Sequence, residues 1–118
     1  MTEADKRIPL VFFRTDAGSE PVREWLLGLP KADRRLVGVG LKELEFGWPV
    51  GMPLCRALGS GLFELRVSLR SRRIARVIVC VHDRELFALH GFIKKTQKTP
   101  DGDLKLARSR KRQLETTK

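Results

Sequence analysis

Three runs decide the fold of this chain: Leu62-Phe63-Glu64-Leu65-Arg66-Val67-Ser68-Leu69-Arg70, Ile74-Ala75-Arg76-Val77-Ile78-Val79-Cys80-Val81-His82 and Leu86-Phe87-Ala88-Leu89-His90-Gly91-Phe92-Ile93-Lys94. The first alternates apolar and charged residues, the period of a half-buried strand. Phe63, Leu65, Val67 and Leu69 share one face, and Glu64, Arg66, Ser68 and Arg70 share the other. In the second run, Ala75, Val77, Val79 and Val81 oppose Arg76, Ile78, Cys80 and His82. In the third, Phe87, Leu89, Gly91 and Ile93 oppose Ala88, His90, Phe92 and Lys94. Ser71-Arg72-Arg73 reads as the first turn and Asp83-Arg84 as a tight hairpin turn. The three patterns agree on a core face built on Phe63, Leu65, Val77, Val79, Leu89 and Ile93. Glu64, Arg66, Arg76, His90, Phe92 and Lys94 then collect on the opposite, open face. A strand that runs into Lys94-Lys95-Thr96-Gln97-Lys98-Thr99-Pro100 aims cations at solvent, which suits the binding of phosphates.

Outward from the strands, helical spacing predicts the layer that covers the core face. Leu10 to Arg14 reads as a first strand, rich in Val and Phe. Ser19 caps a helix opened by Glu20 and Pro21, with Val22, Trp25, Leu26 and Leu29 as its apolar stripe. A second helix starts at Pro30. It carries Val37, Leu41, Leu44 and Trp48 on one face and stops near Gly47-Trp48-Pro49. A third helix follows Pro100, capped by Asp101 or Asp103, with Leu104, Ala107 and Leu114 inward. The expected fold is α+β: a twisted antiparallel sheet with two N-terminal helices packed on one face and a C-terminal helix. At 118 residues the chain reads as one domain spanning 1–118,.

The formal charge is +10, so a polyanion is the default partner. Residues 1–61 hold nine Lys/Arg against eight Asp/Glu, and residues 62–118 hold fifteen against six. The first half is therefore scaffold and the second half carries the field. Cys55 and Cys80 are the two cysteines, too few and too far apart for a disulfide framework or a zinc site. Ile8 to Phe13 is too short for a signal peptide or a membrane span, so the chain is expected in the cytosol, with no membrane partner. No cluster of ligand spacing points to a metal, and no cofactor is implied. Gly59 and Gly61 flank Ser60 without a following Lys-Ser/Thr, so they are not a phosphate loop.

Metal-free cleavage of RNA fits what remains. The ribose 2′-hydroxyl attacks its own phosphate, a basic side chain removes the proton, and cations stabilise the phosphorane. Arg66, Arg76, Lys94 and Lys95 suit the last role, and His90, on the cationic face, suits proton transfer. Glu64 among arginines reads as an ion-pair partner orienting Arg66 or Arg76. Phe92 beside arginines offers a surface for a single-stranded base.

Leu58-Gly59-x-Gly61-Leu62-Phe63-Glu64-Leu65-Arg66, Arg76-Val77, His90-Gly91-Phe92-x-Lys94-Lys95-Thr96-x-Lys98-Thr99-Pro100 and Ala107-Arg108 together resemble the RelE/ParE superfamily of toxins. The branch resembled is the HigB-like, phage-derived one. The resemblance implies a RelE-like fold and the toxin of a type II toxin–antitoxin pair. Such toxins are ribonucleases that cut messenger RNA on the ribosome, and a cognate antitoxin, often of helix-turn-helix type, neutralises them. By family position the resemblance implies Arg66, Arg76, Lys94 and Lys95 as the active surface, with Glu64 supporting; His90 joins the catalytic candidates through its place on the cationic face. Glu64, Arg70, Arg73, Phe92 and Lys98 form the surrounding RNA-binding set. Two departures stand out: the chain has no tyrosine, and Ala75 occupies the place of the common aromatic before the third-strand arginine. The base is then a lysine with a lowered pKa, His90, or nothing well placed. A gyrase-directed toxin without nuclease activity and a non-catalytic basic nucleic-acid-binding module are the competing readings.

Overall fold

The computed structural model describes residues 7–94 and 98–116. In chain order the elements are β1 (Leu10–Phe12), α1 (Pro21–Leu27), α2 (Lys31–Gly47), β2 (Cys55–Gly59), β3 (Leu62–Ser68), β4 (Ile74–His82), β5 (Glu85–Lys94) and α3 (Asp101–Thr116). One five-stranded sheet has the order β1-β5-β4-β3-β2. The α+β architecture is the one expected. Its pairings are antiparallel except that β1 runs parallel to β5. That parallel pair is possible because residues 13–84, with two helices and three strands, lie between the two strands,. β2 is an addition to the expected elements; short and ending in Gly59, it shows little alternation of its own.

Local chemistry explains the boundaries. Asp83 and Arg84 both have positive φ, 49° and 65°, as a two-residue turn between right-twisted strands requires. Pro21 opens α1, but Glu20 rather than Ser19 is the capping residue, and no side chain caps the helix. The Ser19 hydroxyl instead lies 2.9 Å from that of Thr15. Trp48 lies just beyond α2, where its ring meets Phe63 edge-on at 5.0 Å.

Both faces of the sheet are covered. Val22, Leu26, Val37, Leu41 and Leu44 of α1 and α2 pack on Leu65, Ala75, Val77, Val79, Leu86 and Ala88. A second cluster joins Ala107 of α3 to Phe13, Leu62, Ile78, Cys80, Leu89 and Phe92, with Leu104 and Leu114 at its edge. Burying a Val- or Leu-sized side chain contributes about 1.5–3 kcal/mol. The α3 layer, with Ala107 its one fully buried residue, is therefore the thinner of the two.

Strict alternation fails in β5. The register slips where Ile78 and Val79 of β4 pair with His90 and Ala88, leaving Leu89 as the extra residue of a bulge,. Phe87 and Leu89 therefore lie under α3, whereas Leu86 and Ala88 join the α1/α2 core. The expected placement of Leu89 in the α1/α2 core is corrected by this one residue. Beyond the bulge Gly91 faces α1, so close that an added Cβ would sit 2.4 Å from the Trp25 ring. A Cβ on Gly38, within α2, would meet nothing within 4 Å.

Arg73 and Asp33 tie the β3–β4 connection to α2. The guanidinium donates from Nη1 and Nη2 to the two carboxylate oxygens, at 2.8 and 3.0 Å. This bidentate bond holds the Asp33 carboxyl below the usual carboxylate range, against the opposing effect of burial, and the field of Arg70 helps.

Gly91→Ala should destabilise the fold by about 1–3 kcal/mol through overpacking on Trp25. Gly38→Ala should stabilise it by roughly 0.5–1 kcal/mol through helix propensity. Denaturant unfolding of the pair reads both signs. For Asp33 the folded pKa lies below the unfolded value of about 3.9. Its contribution is thus complete above that value and lost as pH falls through the folded one. The stability gap between wild type and Asp33→Asn should narrow below about pH 4. A gap unchanged from neutral to strongly acid pH would mean that the carboxylate charge contributes nothing.

Candidate active site and cationic sheet face

Paired residues share a face, so the strand registers define the surface that α3 partly covers. One row runs Arg56, Glu64, Ile78, His90; the next runs Arg66, Arg76, Phe92; a third runs Ser68, Ile74, Lys94. Glu64, Arg66, Arg76, His90, Phe92 and Lys94 thus come together on one face, as alternation predicts. That face is not open. Arg76 and Glu64 are each 0% exposed and Phe92 7%, so the expected open constellation is corrected to a largely buried one. Alternation assigns a residue to a face; it does not say that α3 and Lys98–Pro100 return across that face.

Arg76 is the centre. Nη1 donates to the Lys98 carbonyl at 3.2 Å, while Nε and Nη2 are buried without a hydrogen-bond partner. The guanidinium carbon lies 5.9 Å from the centroid of the Phe92 ring. Burial pulls the Arg76 pKa down from its usual value. Glu64 opposes this, Arg66 and Arg56 reinforce it, and Asp103 opposes it. Glu64 accepts from the Thr99 hydroxyl through Oε2 at 2.7 Å, and its Oε1 is likewise buried and unpartnered. Each buried unsatisfied polar group costs about 1–3 kcal/mol, so three together mark a position held against stability.

His90 borders this centre. Its ring stacks on Phe92 with centroids 5.4 Å apart and planes 24° apart. Its Nε2 lies 2.6 Å from Oδ1 of Asp103, in the first turn of α3. Next to it, Arg110 donates from Nη1 to the Leu89 carbonyl at 2.7 Å. Phe92 is therefore an internal spacer between His90 and Arg76 rather than an exposed platform for a base. Lys94 and Lys98 are exposed and Arg66 is half-buried. Lys95 lies outside the described residues. Arg73 is engaged by Asp33 on the α2 side. Arg70 sits in the turn Arg70–Arg72, lining a shallow cavity with Lys31, Arg35 and Leu36 of α2. These two arginines are not gathered with the others.

Three members of the site lie outside the sequence-predicted set. Arg56 belongs to the strand that alternation did not reveal. Thr99 lies in an irregular segment, and only the burial of Glu64 gives its hydroxyl a task. Asp103 reads as a helix cap, and its contact with His90 depends on how α3 crosses β5. Burial pushes the Cys80 thiol up to about 11 and raises Cys55 as well, so neither is a nucleophile at neutral pH. Among the described residues no group of three or more His, Cys, Asp or Glu could hold a metal ion. No helix there is long and apolar enough to cross a membrane.

A family model described as phage derived protein Gp49-like (DUF891) matches residues 24–112, from α1 nearly to the end of α3. No curated protein matches the chain. The matched span contains every strand of the cationic face, the Lys98–Pro100 segment and the Asp103 turn, so the chain belongs to the phage-derived Gp49-like family, which is associated with RelE-type, toxin-like proteins.

Proposed function

We propose that this protein is the toxin of a type II toxin–antitoxin pair, of the HigB-like branch. In this reading it is a metal-independent, ribosome-dependent endoribonuclease acting on messenger RNA in the cytoplasm. A cognate antitoxin of helix-turn-helix type holds it inactive. The observation that carries the reading is Arg76. Its Nε–H and Nη2–H form the side-on edge of the guanidinium, the edge that binds a phosphate bidentately, and both are unpartnered. Preorganised donors in a desolvated site stabilise a phosphorane far more than the same groups in water. Access to that edge requires a shift of the groups that bury it, the Lys98–Pro100 segment foremost, since its Lys98 carbonyl is the partner of Nη1. Arg66, Lys94, Lys95 and Lys98 supply further positive charge for the RNA backbone. His90 supplies a titratable nitrogen at the edge of the site for the 2′-hydroxyl proton.

The burial of Arg76 and Glu64 also favours one competing reading. There the two residues clamp Lys98 and Thr99 in a basic nucleic-acid-binding module that cuts nothing. A gyrase-directed toxin is the other alternative. Inducing the chain alone separates the three. The ribonuclease reading expects growth arrest with new mRNA 5′ ends inside translated frames. Intact mRNA with blocked replication would point to gyrase, and unimpaired growth to the binding module.

Arg76→Lys replaces the planar fork by a single amine and loses the bidentate edge. Cleavage should fall about a hundred- to thousandfold, the loss that follows removal of one preorganised donor. Arg84→Ala, at the exposed turn between β4 and β5, should cut at close to the wild-type rate. Equal losses in a ribosome-dependent cleavage assay would mean that positive charge acts only as a diffuse field. For Lys94 and Lys95, the double replacement by Ala should abolish toxicity while leaving the circular dichroism spectrum unchanged, because the exposed Lys94 side chain adds nothing to either apolar cluster. A folded double variant that still arrests growth at the wild-type dose would remove both lysines from the active surface.

A further inference from the structure

We propose that Asp103 is the positioning residue for His90, holding the imidazole so that Nε2 keeps its proton and Nδ1 accepts the proton of the ribose 2′-hydroxyl. The proposal deepens the ribonuclease reading and rests on it for the identity of the substrate. The geometry behind it does not.

Two contacts fix the His90 ring. Phe92 stacks on it with the planes 24° apart, and Asp103 Oδ1 meets Nε2 at 2.6 Å. An ionised carboxylate only accepts hydrogen bonds, so the proton of the neutral imidazole resides on Nε2, and Nδ1 is left with its lone pair. The side chains of His90 and Asp103 are 17% and 18% exposed, so the bond is shielded from competing water. His82 offers the contrast within the same chain. Its carboxylate neighbour Asp83 is 3.4 Å away with its side chain 85% exposed, and its ring meets Phe87 edge-on. That pair is long and open to water, so it orients the ring less firmly than the 2.6 Å contact of His90.

The charged groups around His90 fit the role. Asp103 and Arg110 approach from α3, Arg76 lies beyond Phe92 on β4, and Glu64 lies in the same row on β3. The imidazolium formed on proton uptake would have the Asp103 carboxylate as its counter-charge. Arg76 borders the same Phe92 ring, its guanidinium carbon 5.9 Å from the centroid. In the reaction the O2′–H bond breaks and its proton passes to Nδ1 while the O2′–P bond forms. The P–O5′ bond then breaks, O5′ takes a proton from water and the imidazolium returns its own to solvent. The products are a 2′,3′-cyclic phosphate and a 5′-hydroxyl end. This assignment supplies a base for a chain without tyrosine. It also makes the site a joint product of sheet and C-terminal helix.

Nitrogen-15 NMR of the imidazole groups tests the proposal without RNA, since the chain has two histidines and His82 serves as the internal reference. Wild type should show a slowly exchanging His90 proton on Nε2. Asp103→Asn should lose it, and Asp101→Asn, which removes the same charge from an exposed position in the same turn, should retain it. A proton on Nδ1 in wild type, or an unchanged signal in Asp103→Asn, would overturn the proposal, and the wild-type result alone decides the first point even if the variant misfolds. In ribosome-dependent cleavage, Asp103→Asn should lower kcat toward the level of His90→Gln, a loss of about 10²–10⁴-fold, with KM unchanged. Asp103→Glu should recover part of that loss. An Asp103→Asn protein that cuts at the wild-type rate would sink the positioning role. If wild type itself cuts no RNA, the ribonuclease reading fails, while the imidazole spectrum still decides whether Asp103 positions His90.

Discussion

β4 is buried on both faces, and the remaining architecture is arranged around that condition. Ala75 through Cys80 are all buried. Ala75, Val77 and Val79 form the floor for α1 and α2, and Ile78 and Cys80 form the floor for α3. Arg76 is the polar member of this run. A charge carried there is desolvated unless its neighbours answer for it. They do so incompletely: the Lys98 carbonyl takes one donor, the Phe92 face lies alongside, and Glu64 provides a favourable field without a direct hydrogen bond. An apolar residue at position 76 would make a simpler core, and the proposed function gives a reason for a guanidinium there.

The bulge in β5 is the second determinant. With its extra residue, Leu89 and His90 both lie on the α3 side of the sheet, and Gly91 comes round to meet Trp25. One backbone irregularity thereby supplies α3 with an apolar seat in Phe87 and Leu89. It leaves His90, Phe92 and Lys94 in line beyond that seat. A strictly regular strand of the same sequence would put Leu89 against α1 and α2 and leave α3 with a poorer surface. The short contact between Gly91 and the Trp25 ring anchors this shift, since no other residue type would let the indole approach so closely without displacing it.

Much of this was legible in the sequence because it follows from period and turn chemistry. The bounds of β4, the Asp83-Arg84 turn, the apolar stripes of α1 and α2, and the inward Ala107 all rest on local patterns that tertiary packing did not override. Glu64, Arg66, Arg76, His90, Phe92 and Lys94 were assignable to one face for the same reason. The illegible part depends on contacts between distant segments. Leu89 follows a bulge with no residue signature of its own. The burial of Arg76 and Glu64 is set by where the chain goes after Lys98. Arg73 matches the other arginines by charge, and only the position of Asp33 on α2, forty residues earlier, separates it from them.

The choice of arginine at position 76 follows from the same physics. Burial shifts a cation's pKa downward, and a lysine starts from about 10.4. Desolvation at a fully buried site can shift a lysine by 3–5 units, enough to leave it neutral at physiological pH, and nearby Arg56 and Arg66 would press in the same direction. An arginine starts so high that the downward pull leaves it charged,. Its planar fork also divides the work. Nη1 holds the Lys98 carbonyl, and the opposite edge stays pointed and protonated without further support. The basic half of the chain therefore contains two kinds of cation. Exposed ones such as Lys94 and Lys98 attract a polyanion over a distance limited by salt. The buried Arg76 acts over a hydrogen bond's length, where screening by salt is slight. In the proposed ribonuclease, a group of the second kind would distinguish a phosphate undergoing attack from the many phosphates beside it.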